Sequence, residues 1–142
     1  MIALKWDNRI FANVKAAVFD KTKCRNVVRH ANFEDTVFPT VLIELLTTKG
    51  YSENLENEDC GAKVTYQIQC YSAGRYAFSE AKEIIEVVFD EMKRMGFQMS
   101  SIRQLQTPTG QFEGKVDPQI FRYIVRFTRP IMSGDEISKY EN

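Results

Sequence analysis

From Lys63 to Tyr71 apolar and polar positions alternate: Val64, Tyr66, Ile68 and Cys70 against Lys63, Thr65, Gln67 and Gln69. A period of two predicts a strand with one buried and one wet face. Ser72-Ala73-Gly74 breaks the pattern, and from Tyr76 the period becomes helical. Ala77, Ala81, Ile84, Ile85, Val88, Phe89 and Met92 form one apolar stripe on a helix ending at Gly96. An earlier helix is predicted from Asp7 or Asn8, as its cap, to about Asp20, with Ile10, Phe11, Val14, Ala17 and Val18 inward. Thr40 to Leu46 reads as a strand more apolar than strict alternation, hence central. Cys24 to Arg29 is an optional short strand. Phe97 to Gln106 is another, with Phe97, Met99 and Ser101 on one side. The last follows Pro118 and runs to Arg129, where Phe121, Tyr123, Val125 and Phe127 alternate with Arg122, Ile124, Arg126 and Thr128 and Pro130 stops it.

The predicted class is α+β, in the order α-β-β-α-β-β. It comprises a single mostly antiparallel or mixed sheet with two helices packed on one face. One domain is expected over residues 1–131, with a frayed polar tail over 132–142. Thr47 to Gly61 carries no periodicity and is rich in Asn, Gly and acids, so a long loop is expected, mobile until a contact orders it. Thr107-Pro108-Thr109-Gly110 signals a turn, and Gln111 to Asp117 a connection.

The charge balance changes this picture in one respect. The whole chain is neutral, with 19 basic and 19 acidic residues, which gives no global pull toward nucleic acid or anionic membrane. Residues 1–30, however, carry +5, including Lys21 and Lys23, and residues 31–62 carry −6, including Glu53, Glu56, Glu58 and Asp59. The plain account is a solvated loop beside a basic helix; the sharper one is two unlike surfaces for head-to-tail assembly. No apolar run is long enough to span a bilayer, and the N-terminus lacks the pattern of a secretory signal, so a soluble protein of a reducing compartment is expected. Three cysteines, Cys24, Cys60 and Cys70, without a CxxC pair agree with that compartment.

Candidate chemistry is sparse. His30 is the one histidine, and Cys24 lies too far along the chain to be positioned against it. Cys60 beside Glu58 and Asp59 matches a metal site only loosely, so no metal or cofactor is expected. Cys70, on the apolar side of its strand, reads as a small buried hydrophobe. Glu83, Glu86, Asp90 and Glu91 alternate with Lys82, Lys93 and Arg94 as a solvated helix face does. No phosphate-loop or dinucleotide fingerprint is present. The aromatics of the last strand share its core side and do not form a stacking platform for bases. What remains is a polar sheet face, with Gln67 and Gln69 on one strand and Arg122 and Arg126 on another, which is either simply wet or a subunit contact.

The run from Cys60 through Lys63-Val64-Thr65-Tyr66-Gln67-Ile68-Gln69-Cys70-Tyr71 to Ser72 resembles the central strand of small proteins in phage and prophage tail modules. The likeness continues through Glu80-Ala81-Lys82-Glu83-Ile84-Ile85, Met92 to Phe97 and Phe121 to Phe127, with Phe38-Pro39-Thr40-Val41 upstream, and covers roughly residues 5 to 131. The family is similar to the tail terminators of long-tailed phages. The resemblance implies a homo-oligomer, a hexameric ring, that caps the tail tube, ends its polymerisation and joins the tail to the head connector. Its partners would be the tail tube protein and the head connector protein, in a virion tail assembled in the host cytoplasm, with no enzyme activity, cofactor, membrane or sequence-specific nucleic acid. Another head–tail connector or tail adaptor is the first alternative. A small enzyme or ligand-binding domain using Cys60 as thiol and His30 as base is the second.

Overall fold

A computed structural model describes residues 5–29, 38–53, 59–74, 76–107, 120–132 and 134–141. The elements are α1 (Asp7–Lys21), β1 (Val27–Val28), β2 (Thr40–Glu53), β3 (Asp59–Ala73), α2 (Ala77–Arg94), β4 (Gln98–Thr107) and β5 (Ile120–Met132). They form an α+β protein with one mixed sheet of five strands, in the order β1-β2-β3-β5-β4. Only β1 against β2 is parallel.

Strand β3 lies at the centre. Its alternation places Val64, Tyr66, Ile68 and Cys70 in the core, all at 1 % exposure or less. The helices bring Ile10, Val14 and Val18 from α1, and Ala81, Ile84, Ile85, Val88 and Met92 from α2, into the same core. Tyr123, Val125 and Phe127 of β5 complete it. Helix α2 ends as its sequence predicts. Gly96 adopts φ +88°, its N–H donates to the Lys93 carbonyl and the Phe97 N–H to that of Met92. This left-handed closure turns the buried Phe97 back under Tyr66, ring edge to ring face at 5.8 Å. A side chain at Gly96 would also collide with Arg129, 2.9 Å from where its Cβ would lie.

Several expectations give way. The long loop over 47–61 is largely strand: β2 runs on to Glu53 and β3 begins at Asp59, in register from Thr47↔Thr65 to Glu53↔Asp59. Register shifts at Leu45/Thr47, Gly50/Ser52 and Ser52/Glu53 absorb the irregular sequence. An antiparallel ladder is held by backbone hydrogen bonds, so polar side chains do not prevent it, and hydrophobic periodicity is blind to it. Residues 54–58 lie outside the described residues, as do the predicted turn and connection over 108–119.

Pro130 does not stop β5, which continues to Met132 opposite Gly61. Strand β4 reaches only Thr128 of β5, so Pro130 stands where β5 has become an edge strand and a missing N–H breaks no second ladder. A bulge between Met99 and Ser101 moves Ser101 to the wet side, opposite Arg126. The cap of α1 is Trp6; Asp7 is already helical, its carboxylate taken by Arg29 and Tyr66.

The segment after β5 is docked. Ile137 is 3 % exposed. Asn13, buried on α1, donates to the Ser138 carbonyl (2.9 Å) and accepts from the Tyr140 N–H (2.9 Å). Arg9 reaches the Ile137 carbonyl at 3.2 Å. Glu91 is therefore buried rather than part of a solvated face: Arg94 donates to both its oxygens, at 2.6 and 2.7 Å, and also holds Ser138. Replacing Asn13 with Ala removes two of the hydrogen bonds that hold this segment. It is expected to cost about 1–3 kcal/mol in urea unfolding and to speed amide exchange at Tyr140; unchanged exchange there would mean that other contacts hold the segment.

Candidate assembly interface

The sheet side away from the core carries the polar half of each strand's alternation. Gln67 pairs in register with Glu44 on β2 and Arg126 on β5, and Tyr71 pairs with Arg122. The four expected sheet residues therefore share one face. Gln67, Gln69 and Arg126 are joined by side-chain hydrogen bonds across three strands, and Arg122 meets them through the Tyr71 ring. Arg126 Nε donates to Gln67 Oε1 (3.0 Å), and Gln67 and Gln69 donate to Glu44 Oε1 (3.4 and 2.7 Å). Tyr71 donates its hydroxyl to Gln69 Oε1 (2.9 Å), and the Arg122 guanidinium lies over the Tyr71 ring at 5.7 Å. Thr65 and Thr128 bond across the neighbouring rung at 3.3 Å.

Within this network the roles differ. Gln69 and Tyr71 are buried, so they fix the others in place and have little surface to offer a partner. Arg126 is exposed, and Arg122 is half-buried with its Nε lacking any hydrogen-bond partner. Arg103 on β4 stands opposite Ile124 on this same side, exposed, and Lys63 is exposed further along β3. None of these four cations has an ion pair among the described residues, and Glu44, the carboxylate beside them, is shared by two amides. The face is thus a basic surface stiffened by its own hydrogen bonds, able to receive carboxylates, phosphates or backbone carbonyls. Glu44 and Arg103 were not singled out from the sequence. A lone acid inside Val-Leu-Ile-Glu-Leu-Leu was the available signal for Glu44; Arg103 had none until the bulge of β4 set its side.

The other expected contact residues lie elsewhere. Lys21 and Lys23 are exposed at the C-terminal end of α1. The chain after them is tied to the start of β2, by Cys24 Sγ to the Pro39 carbonyl (3.4 Å) and Asn26 to Thr40 (2.9 Å). Glu53 and Asp59 face each other at the far end of the β2–β3 hairpin, roughly 40 Å away at about 3.3 Å per extended residue. Glu56 and Glu58 fall outside the described residues, as do His30 and the side chain of Cys60. Cys24 and Cys70 are both fully buried, and burial raises each thiol above its usual value, which suits packing better than nucleophilic chemistry.

Beside the sheet's β2 edge, Asp7, Arg29, Ile43, Leu45 and Tyr66 surround a cleft of about 300 Å³. Arg29 pairs with Asp7 at 2.5 Å, and the buried Tyr66 hydroxyl donates to the same carboxylate. These contacts pin the start of α1 to the sheet. No protein-family model matches the chain, and no curated protein matches it. What fold and surface define is a small α+β, single-sheet protein with a rigid basic face. Among the described residues, no helix is long and apolar enough to cross a membrane.

Burial, and then the bond to Asp7, raise the Tyr66 hydroxyl well above its usual value near 10. A raised folded-state value favours the native state fully below about pH 10, and the gain is lost as pH climbs beyond it, by about 1.4 kcal/mol per unit. Between pH 9.5 and about 11.5, Tyr66→Phe is expected to be less stable at the start and to show a shallower decline than wild type. The buried cysteines add the same slope to both. Equal slopes in urea titrations would remove Tyr66 from this account.

Proposed function

We propose that this chain is a structural subunit of a long-tailed phage or prophage tail, acting as a tail terminator. Six copies close into a ring that caps the tail tube, ends its polymerisation and presents a surface to the head connector, within a virion tail assembled in the host cytoplasm. The residues that carry the resemblance fall on β3, α2 and β5, the elements that build the sheet and its cover. In this reading both helices cover one face of the sheet and leave the other to a neighbour.

The observation that carries the proposal is the open face itself. A cationic surface with four charges that have no ion pair among the described residues, ordered by an internal network, suits a fixed protein contact. The separation of Lys21 and Lys23 from Glu53 and Asp59 adds to it. One subunit cannot bring such distant ends together, whereas a head-to-tail neighbour can. Exposed pairs contribute only about 0–1 kcal/mol each, so charge would set orientation and encounter rate while apolar contact holds the assembly.

Negative-stain microscopy of purified protein with tail tubes tests this directly. Wild type is expected to form rings and to cap tubes; rings that bind head connectors and ignore tubes would instead favour a connector or adaptor. Arg122→Glu with Arg126→Glu is expected to keep the native circular dichroism spectrum and lose most capping. A folded double variant that caps as well as wild type would remove this face from the contact. Assembly should also slow as salt rises from about 0.05 to 0.5 M, since the Debye length falls well below 10 Å.

A further inference from the structure

The two edges of the molecule are chemically unlike. At the β4 edge, α2 stops short of covering the sheet and leaves a groove of about 460 Å³. Its floor is Ile85, Phe89 and Val125, and its outer wall is Met99 and Ile102, large apolar side chains left 44 and 47 % exposed. Glu86 and Asp90 rim it, both exposed and neither in an ion pair among the described residues. Lys82 and Lys93 lie a turn beyond them on either side.

The opposite edge is aromatic and basic. Phe11, Lys15 and Phe19 recur every four residues along α1 and so share one stripe. Arg29, just past β1, lies over Phe11 at 4.4 Å, and Lys15 and Arg25 each lie 5.5 Å from the centre of Phe19. Asp7 is the acid of this flank, and Arg29 and Tyr66 occupy it. Both sheet edges are open among the described residues: β4 pairs only with β5, and β2 beyond Leu42 pairs only with β3. Four interstrand steps, roughly 19 Å, separate β1 from β4, so within one chain the two surfaces cannot meet.

We propose that the acidic-rimmed groove at the β4 edge of one copy receives the basic aromatic α1–β1 flank of the next. The occupant is a second copy because the same chain carries both halves: an apolar groove rimmed by two carboxylates, and partly buried rings bearing cations, of which Lys15 has no ion pair among the described residues, Arg25 donates to the Thr22 and Cys24 carbonyls and Arg29 is held by Asp7. Groove to flank is a heterologous contact, which repeats around a ring or along a filament. The proposal rests on the ring reading only for closure; the contact itself stands apart from it.

Charge exchange tests the contact. In sedimentation velocity, wild type is expected to associate with rising concentration. Glu86→Lys with Asp90→Lys, and separately Lys15→Glu with Arg25→Glu, should each stay monomeric while keeping the wild-type circular dichroism spectrum. Equal mixing of the two should restore association, since each supplies the surface that suits the other. If the Arg25 change unfolds the chain, Lys15→Glu alone serves as the flank variant. Wild-type association by either variant alone, a mixture that stays monomeric, or a wild type monomeric at every concentration would each overturn the contact. Charge rescue with uncapped tail tubes would sink the tail reading and keep the contact; capped tubes with indifferent variants would do the reverse.

Discussion

Strand β3 must satisfy both sides of the sheet at once, and the rest of the molecule depends on that. From Gly61↔Met132 to Ala73↔Ile120 it is paired with β5, and it is paired with β2 on its other side. A shift of one residue in either register would carry Val64, Tyr66, Ile68 and Cys70 to the wet face and bring Lys63, Gln67 and Gln69 into the core. Burying those amides and an ammonium without partners would cost several kcal/mol, so the register is strongly specified. The same alternation that fixes the core creates the Gln67–Glu44–Gln69 network, which makes fold and surface two results of one constraint.

The charges follow from this frame. Two of the paired carboxylates hold segments distant in sequence, Asp7 with Arg29 and Tyr66 at the start of α1 and Glu91 with Arg94 under the C-terminal segment; the third, Asp135, meets Arg129 across the local turn after β5. Charges without an ion pair among the described residues include Lys63, Arg103, Arg122 and Arg126 on the polar sheet face and Glu86, Asp90 and Lys15 at the two edges. A head-to-tail neighbour would engage the unpaired charges, while Arg29 on the α1–β1 flank is already committed to Asp7.

Local pattern made much of this legible beforehand. The alternation of Lys63 to Tyr71, the stripe from Ala77 to Met92 and the alternation through Phe127 identified β3, α2 and β5, because each is a repeat within one element and needs no knowledge of neighbours. Four residues expected on a polar face do share it, since side-chain parity along a strand is settled by the strand alone. Tertiary structure decided whatever depended on a partner far along the chain. The ladder between 47–53 and 59–65 is backbone pairing between polar segments. Ile137 is buried because Asn13, more than a hundred residues away in sequence, holds the segment around it. Glu91 leaves solvent for the same reason, and Pro130 is tolerated because β4 ends short of it. The groove under Met99 and Ile102 exists because α2 leaves β4 uncovered, a matter of relative placement that no periodicity encodes.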